Sequence, residues 1–273
     1  MFNRAPAAIL LLILGNCGWA MAEEPATPAD DEDAKKFQAY AKETAAAYKS
    51  VAGKETERKL TLADQAILRW TNPLGGHKAH GEVFLWTDEG RPAAVLSLYH
   101  FTDKDGVVRE HHEFCSLLSE PLSFTGTVTW APQSGLEFQI LADKTAPADS
   151  ARQRLSQLRE LAAGFIAEKT TRDRITRPLR VLPQPVHRYK SEKNGIIDGA
   201  LFAVVEATDP EIFLILEART SGEKMEWHYA LARMTSVGLK ASFHGKEVWN
   251  VDVLPWREAL SRKDLPYTAF QVR

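Results

Sequence analysis

The feature that most restricts what this chain can fold into is a pattern written twice. Gly81-Glu82-Val83-Phe84 is echoed by Gly199-Ala200-Leu201-Phe202 at a step of 118 residues, and the same step carries Pro92 to Pro210, Leu96 to Leu214 and Leu98 to Leu216. Five of the nineteen positions in 81–99 and 199–217 are identical, where average usage gives roughly one. A step of 119 pairs Arg69-Trp70 with Arg188-Tyr189 and Trp130 with Trp249. Upstream, 33–52 lies over 151–170, with Phe37 on Leu155, Tyr40 on Leu158 and Tyr48 on Ile166. Such self-similarity reads as tandem duplication, and a fused dimer keeps the two-fold contact of its parent. We therefore expect an α+β fold: a helix plus antiparallel-sheet unit in tandem, its two halves related by a pseudo-two-fold axis.

Each half reads as a helix followed by strands. Phe37, Tyr40, Thr44, Tyr48 and Val51 recur at helical spacing, as do Leu155, Leu158, Leu161, Ala162, Phe165 and Ile166. Asp149 or Ser150 can cap the second helix by accepting bonds from its free amides. Strands are expected over 83–87, 93–101, 113–118 and 123–130, and again over 200–205, 211–218, 226–233 and 239–249, with turn chemistry at Asp88–Pro92 and Ala207–Pro210. Ile212-Phe213-Leu214-Ile215-Leu216 is wholly apolar, the mark of a strand buried on both faces. Whether the halves share one sheet or pack as separate layers stays open at this level.

The start of the chain has the layout of a secretory signal peptide. Arg4 supplies positive charge, Ala7 to Leu14 are unbroken apolar residues, and Ala20-Met21-Ala22 is a cleavage site. The apolar run is too short to span a bilayer, which takes about 20 residues. The expected organisation is a signal peptide at 1–22, an acidic disordered linker at 23–32, a first α+β repeat at 33–133, a linker at 134–149, a second repeat at 150–252 and a C-terminal tail at 253–273. The protein is thus expected to be secreted or periplasmic, with no stable membrane span after cleavage. Cleavage removes Cys17 and leaves Cys115 alone, so no internal disulfide can form. Stability must come from a core, and 44% hydrophobic residues can supply one. A formal net charge of −2 excludes a broadly basic nucleic-acid binder.

Candidate functional residues are few. Glu110-His111-His112-Glu113 concentrates possible metal ligands, but alternation on a strand puts His111 and Glu113 on one face and His112 on the other. A metal site would need more ligands, from His77, His80 or His228, so no metal or cofactor is expected. His112 beside Glu113 is the candidate catalytic pair, since a histidine next to a carboxylate can act as general base. Ligand-binding candidates are His111, Arg91 at a turn, and Trp86, which has Val204 rather than an aromatic at its counterpart position. Cys115 reads as a buried small hydrophobe. Glu217 closes an apolar strand and is expected to pair with an arginine such as Arg233, or to reach solvent. The loop 72–77 contains two glycines but lacks the ending of a phosphate-binding loop. No nucleophile elbow, kinase, dinucleotide or calcium-loop motif occurs.

The runs Trp70-Thr71-Asn72-Pro73, Gly90-Arg91-Pro92, His112-Glu113-Phe114, Asp198-Gly199-Ala200-Leu201-Phe202 and Thr208-Asp209-Pro210-Glu211 resemble a family of secreted proteins from planctomycete-type bacteria. The resemblance covers most of 65–250 and implies export, without an activity. Two functions of different class follow. The first is an exported, non-catalytic binding or scaffold protein, with an extracytoplasmic small molecule or protein as partner and a ligand site between the halves. The alternative is an exported hydrolase-like enzyme using His112, Glu113 and Arg91.

Overall fold

The computed structural model describes residues 28–72, 79–103, 105–133, 135–141, 145–222 and 224–272. The expected signal peptide, with Cys17, and most of the loop 72–77, with His77, lie outside them. Helix α1 (Pro28–Ala46) opens the described chain and is followed by β1 (Lys49–Ala52), β2 (Arg58–Lys59), β3 (Thr61–Leu62), β4 (Leu68–Asn72), β5 (Ala79–Asp88), β6 (Arg91–Thr102), β7 (Val108–Ser116), β8 (Leu122–Thr125) and β9 (Thr129–Trp130). After β10 (Gln139–Ile140) come α2 (Ala151–Ala163), β11 (Phe165–Thr170), β12 (Thr176–Val181), β13 (His187–Ser191), β14 (Ile196–Glu206), β15 (Asp209–Ser221), β16 (Lys224–Arg233), β17 (Gly238–Phe243) and β18 (Lys246–Val251). The chain continues through α3 (Trp256–Ser261) and β19 (Tyr267–Gln271).

The helices begin where local chemistry dictates. Pro28 sits in the first turn of α1, where its missing N–H costs nothing. The stretch expected as a disordered linker over 23–32 is therefore helical from Pro28 onward. Ser150 caps α2 by accepting from the backbone N–H of Gln153 at 3.3 Å.

The α+β expectation is overturned. Among the described residues strands make up 52% and helices 16%, in large curled antiparallel sheets, so the fold is β-rich rather than a helix-plus-sheet repeat. The reason is coverage. Strands β14 to β16 run to 10–13 residues, and a 13-residue helix such as α2 covers only part of the face they present. Further strands curl over to cover the rest. A four-stranded sheet in the order β2-β1-β8-β9 shares that task with α1, and β12, β11, β17 and β18 share it with α2 as one end of a nine-stranded sheet. The 253–273 segment, expected as a tail, instead supplies α3 and β19, and β19 pairs antiparallel with β7 to complete a six-stranded sheet. Within the 134–149 linker, β10 adds to β16.

Phe37–Arg273 form one compact unit, built on a buried face between the six- and nine-stranded sheets. Trp70, Val83, Leu85, Val95, Cys115 and Leu117 from one sheet meet Leu201, Ala203, Val205, Phe213, Ile215, Ala230 and Met234 from the other. The opposite faces are buried too. Phe84, Trp86, Leu96 and Phe114 pack under α1 and the four-stranded sheet. Phe202, Ile212, Leu214 and Leu216 pack under α2 and β11. Two-sided burial accounts for the unbroken apolar run 212–216. Antiparallel register sets Phe84 against Leu96 and Phe202 against Leu214.

In each of the two main sheets a strand glycine makes room for an aromatic ring of the neighbouring strand. A Cβ on Gly81 would lie 2.6 Å from the Trp70 indole, and one on Gly199 2.5 Å from the Tyr189 ring. Neither ring can move without leaving the core. Gly81→Ala and Gly199→Ala are each expected to lower stability by roughly 1–3 kcal/mol through overpacking. Gly238→Ala, whose added methyl meets nothing closer than 3.6 Å, should shift the urea midpoint little, and equal shifts in all three would refute this account.

Candidate functional site

Strand β7 lies between two chemically different surroundings, and its alternation sorts the candidate residues. Glu110, His112 and Phe114 point toward α1, while His111, Glu113 and Cys115 point toward the nine-stranded sheet. The expected separation of His112 from Glu113 therefore holds, and the two cannot act as a catalytic pair.

On the α1 side, Glu110 is the centre of a buried hydrogen-bond network. It accepts from the Tyr40 hydroxyl at 2.8 and 2.9 Å, from His100 Nε2 at 3.1 Å and from His112 Nε2 at 2.9 Å. Burial alone would raise its pKa, but the bonds from Tyr40, His100 and His112 outweigh that, and its carboxyl stays below the usual range. An ionised Glu110 requires the proton of His112 on Nε2, so His112 Nδ1 accepts from the Tyr48 hydroxyl at 2.7 Å. Burial lowers the pKa of His112 and holds Tyr48 protonated. His112 is fully enclosed, so this network ties the segment 40–48 to the sheet and offers no face to a substrate.

On the other side, a cavity of about 320 Å³ opens between the sheets. Its aromatic lining comes from Trp70, Tyr99, Phe101, Trp256 and Tyr267, and its ionisable lining from Glu113, Asp209, Glu211 and Lys169. Glu113 Oε1 accepts from Tyr99 at 3.1 Å and Tyr267 at 3.2 Å. Burial raises its pKa to about 8, and the neighbouring carboxylates Asp209 and Glu211 push the same way. Lys169 binds Glu211 and Glu206 through its ammonium group. Burial works against that charge, yet the two carboxylates outweigh it and raise its pKa. Glu211 is raised by burial, with Lys169 opposing.

His111 stands beside the cavity in an aromatic cage. Its ring lies 5.3 Å from Tyr99, 5.2 Å from Phe101 and 5.9 Å from Trp256, stacked on the last. Neither ring nitrogen has a hydrogen-bond partner among the described residues, and burial lowers its pKa to about 4.

The remaining candidates fall elsewhere. Trp86 is 1% exposed and packs edge-on to Tyr48 and Phe124, which leaves no face for a ligand. Arg91 bonds Glu217 at 2.9 and 3.3 Å across the two sheets. Glu217 is completed by Arg219 and by the Tyr189 hydroxyl at 2.6 Å. The expected partner of Glu217, Arg233, instead donates to the carbonyls of Thr235 and Val237. Burial pushes the Cys115 thiol up to about 12, which removes it as a nucleophile. His80 packs on Phe37 and His228 pairs with Ile140, and neither lines the cavity. Among the described residues no group of three His, Cys, Asp or Glu is placed to hold a metal ion. None of their helices is long and apolar enough to cross a membrane.

Trp70, Tyr99, Phe101, Tyr267, Trp256, Asp209, Glu211 and Lys169 line the cavity and were missed by sequence reasoning. Two carried a signal. Lys169 continues the buried alternation Phe165, Ala167, and Glu211 stands directly before five apolar residues. No family model, curated protein or solved structure matches the chain.

Two pH dependences follow from the inner face. The unfolded chain protonates His111 near 6.5 and the folded one only near 4, so its contribution is present above 6.5 and lost as pH falls toward 4. His111→Phe removes no hydrogen bond, and its thermal unfolding should depend less on pH between 6.5 and 4 than that of wild type. Glu113 behaves oppositely, because its folded pKa lies above the ordinary 4.5. Glu113→Gln should gain stability over wild type as pH rises from 4.5 to 8, with the gain constant above 8. A gain that shrinks with rising pH would contradict the assignment.

Proposed function

We propose that this is an exported, non-catalytic binding protein that takes a small molecule into the cavity between its two main sheets. Its export rests on the layout of residues 1–22 and on the resemblance to secreted planctomycete-type proteins. The observation that carries the binding reading is the composition of the cavity wall. Five aromatic side chains and four ionisable ones converge there from β4, β6, β7, β11, β15, β19 and α3. Ligand sites have that make-up: a mostly apolar wall with a few placed polar groups. Glu113, Asp209 and Trp256 are partly exposed, so the cavity is open to solvent.

One observation favours the hydrolase-like alternative. A carboxyl held protonated to about pH 8 faces two further carboxyl groups, and acid and base of different strength in one cavity are the parts of proton-transfer chemistry. In that reading Glu113 is the acid and His112 has no part.

A thermal-shift screen of glycans, lipids and peptidoglycan fragments against wild type and Trp256→Ala separates the two. A binding protein should show compounds that raise the unfolding temperature of wild type, lose that effect in the variant and are recovered unchanged. Product release by wild type that Glu113→Gln abolishes would establish the enzyme instead.

A further inference from the structure

The buried imidazole of His111 belongs to a column of rings that runs along the cavity. Trp70 lies 5.1 Å from Tyr99, Tyr99 5.3 Å from His111, and His111 5.9 Å from Trp256, the last two stacked within 15°. Arg172, from the connection between β11 and β12, lies 5.7 Å from the Trp256 ring and bonds Ser236 at 3.4 Å. Trp70, Tyr99, Trp256 and Ser236 all line the cavity. His111 is 3% exposed, and neither of its nitrogens bonds a described residue. A neutral imidazole there leaves one donor and one acceptor unmet. A protonated one leaves two donors unmet and adds a buried charge, which costs more. Aromatic faces attract a cation, but stacked faces do not receive N–H bonds that lie in the imidazole plane.

We infer that the stack of Trp256 on His111 is an acid-released latch: protonation of His111 frees α3 from the sheet and opens the cavity wall. Trp70, Tyr99 and His111 sit on strands of the six-stranded sheet. Trp256 sits on α3, six residues with no side-chain cap and Ala259 as the one buried residue. The helix is the part that can yield, and local opening of so small a unit does not require the core to unfold. Arg109 and His112 on β7 oppose the added charge. Glu113, next on this face of β7, keeps its proton to about pH 8 and bonds Tyr99 on β6 and Tyr267 on β19. Gln271 of β19 faces His111 in register, and Asp209, Glu211 and Lys169 line the cavity from the nine-stranded sheet. The charged residues of α3, Arg257 and Glu258, are exposed. None of these groups bonds a ring nitrogen of His111. The regulatory meaning, that a ligand held at neutral pH is let go in acid, rests on the reading of the cavity as a ligand site.

Hydrogen exchange of the full chain at pH 7 and pH 5, corrected for the intrinsic pH dependence of amide exchange, tests this. The segment 254–262 reports on the latch, because the Leu254 N–H bonds the Ser236 carbonyl at 2.8 Å; β15 serves as the core reference. The latched ring protonates near 4 and the released one near 6.5, so the opening equilibrium should rise about 20-fold from pH 7 to pH 5. Exchange in 254–262 should quicken by that factor while β15 stays protected, and His111→Phe should remove the effect. Equal corrected exchange in 254–262 at the two pH values overturns the inference. Joint acceleration of 254–262 and β15 overturns it as well, because that is general acid unfolding, and so does the same acceleration in His111→Phe. If His111→Phe does not fold, an NMR titration of the wild-type His111 ring takes its place: ring and segment must change over one pH range, and a ring that protonates while 254–262 stays protected refutes the latch. None of these readouts involves a ligand, so the thermal-shift screen decides the ligand-site reading separately.

Discussion

Between the six- and nine-stranded sheets lies a face that both bury, dry except where the cavity opens, and the placement of the charged groups near it follows. Away from the cavity mouth water does not reach a carboxylate there, so one placed in that region needs a partner from the protein. Glu217, with its side chain wholly enclosed, has Arg91 from the opposite sheet, Arg219 from its own strand and the Tyr189 hydroxyl. Glu211 has Lys169. Glu110, on the far side of β7, collects Tyr40, His100 and His112. Glu113 departs from this rule, with phenols for partners and acids for neighbours. The cavity opens at that point.

Two-sided burial also explains which parts of the architecture could be read from the residues. Strands rich in apolar side chains, and the turns between them, carry local signals. The hairpin through Asp88–Arg91 and the run 212–216 lie where sequence pattern puts them. The split of His111 and Glu113 from His112 needs only the alternation of a strand. The layering carries no local signal. A strand buried under a helix and a strand buried under another sheet have the same composition, so the helical stripes overstated the share of helix. The short strands that finish the outer faces, such as β2 and β9 with two residues each, are below what periodicity can detect.

The cavity was legible by halves. Glu113 and His111 stand out because they interrupt an apolar strand with ionisable groups. Trp86 misled, since a tryptophan without an aromatic counterpart reads as free, whereas it fills space against Tyr48 and Phe124. Arg91 misled for the opposite reason: a turn suggests solvent, but the partner that claims it is Glu217, 126 residues away. Tyr267 and Trp256 lie in a segment with little periodic pattern. Their role depends on pairing between β19 and β7, which no spacing along the chain reveals.

That pairing has a consequence for how the protein is made. Strand β19 supplies the edge of a sheet whose other strands were synthesised much earlier; Tyr267 bonds Glu113 across 154 residues of sequence. Until β19 arrives, β7 presents a row of unpaired N–H and C=O groups, and such an edge recruits strands from other chains. The cavity wall is incomplete over the same interval, because Tyr267 is part of it. Closing the edge and completing the cavity wall are thus a single late event in biogenesis, and a nascent chain stalled before it would be open to aggregation.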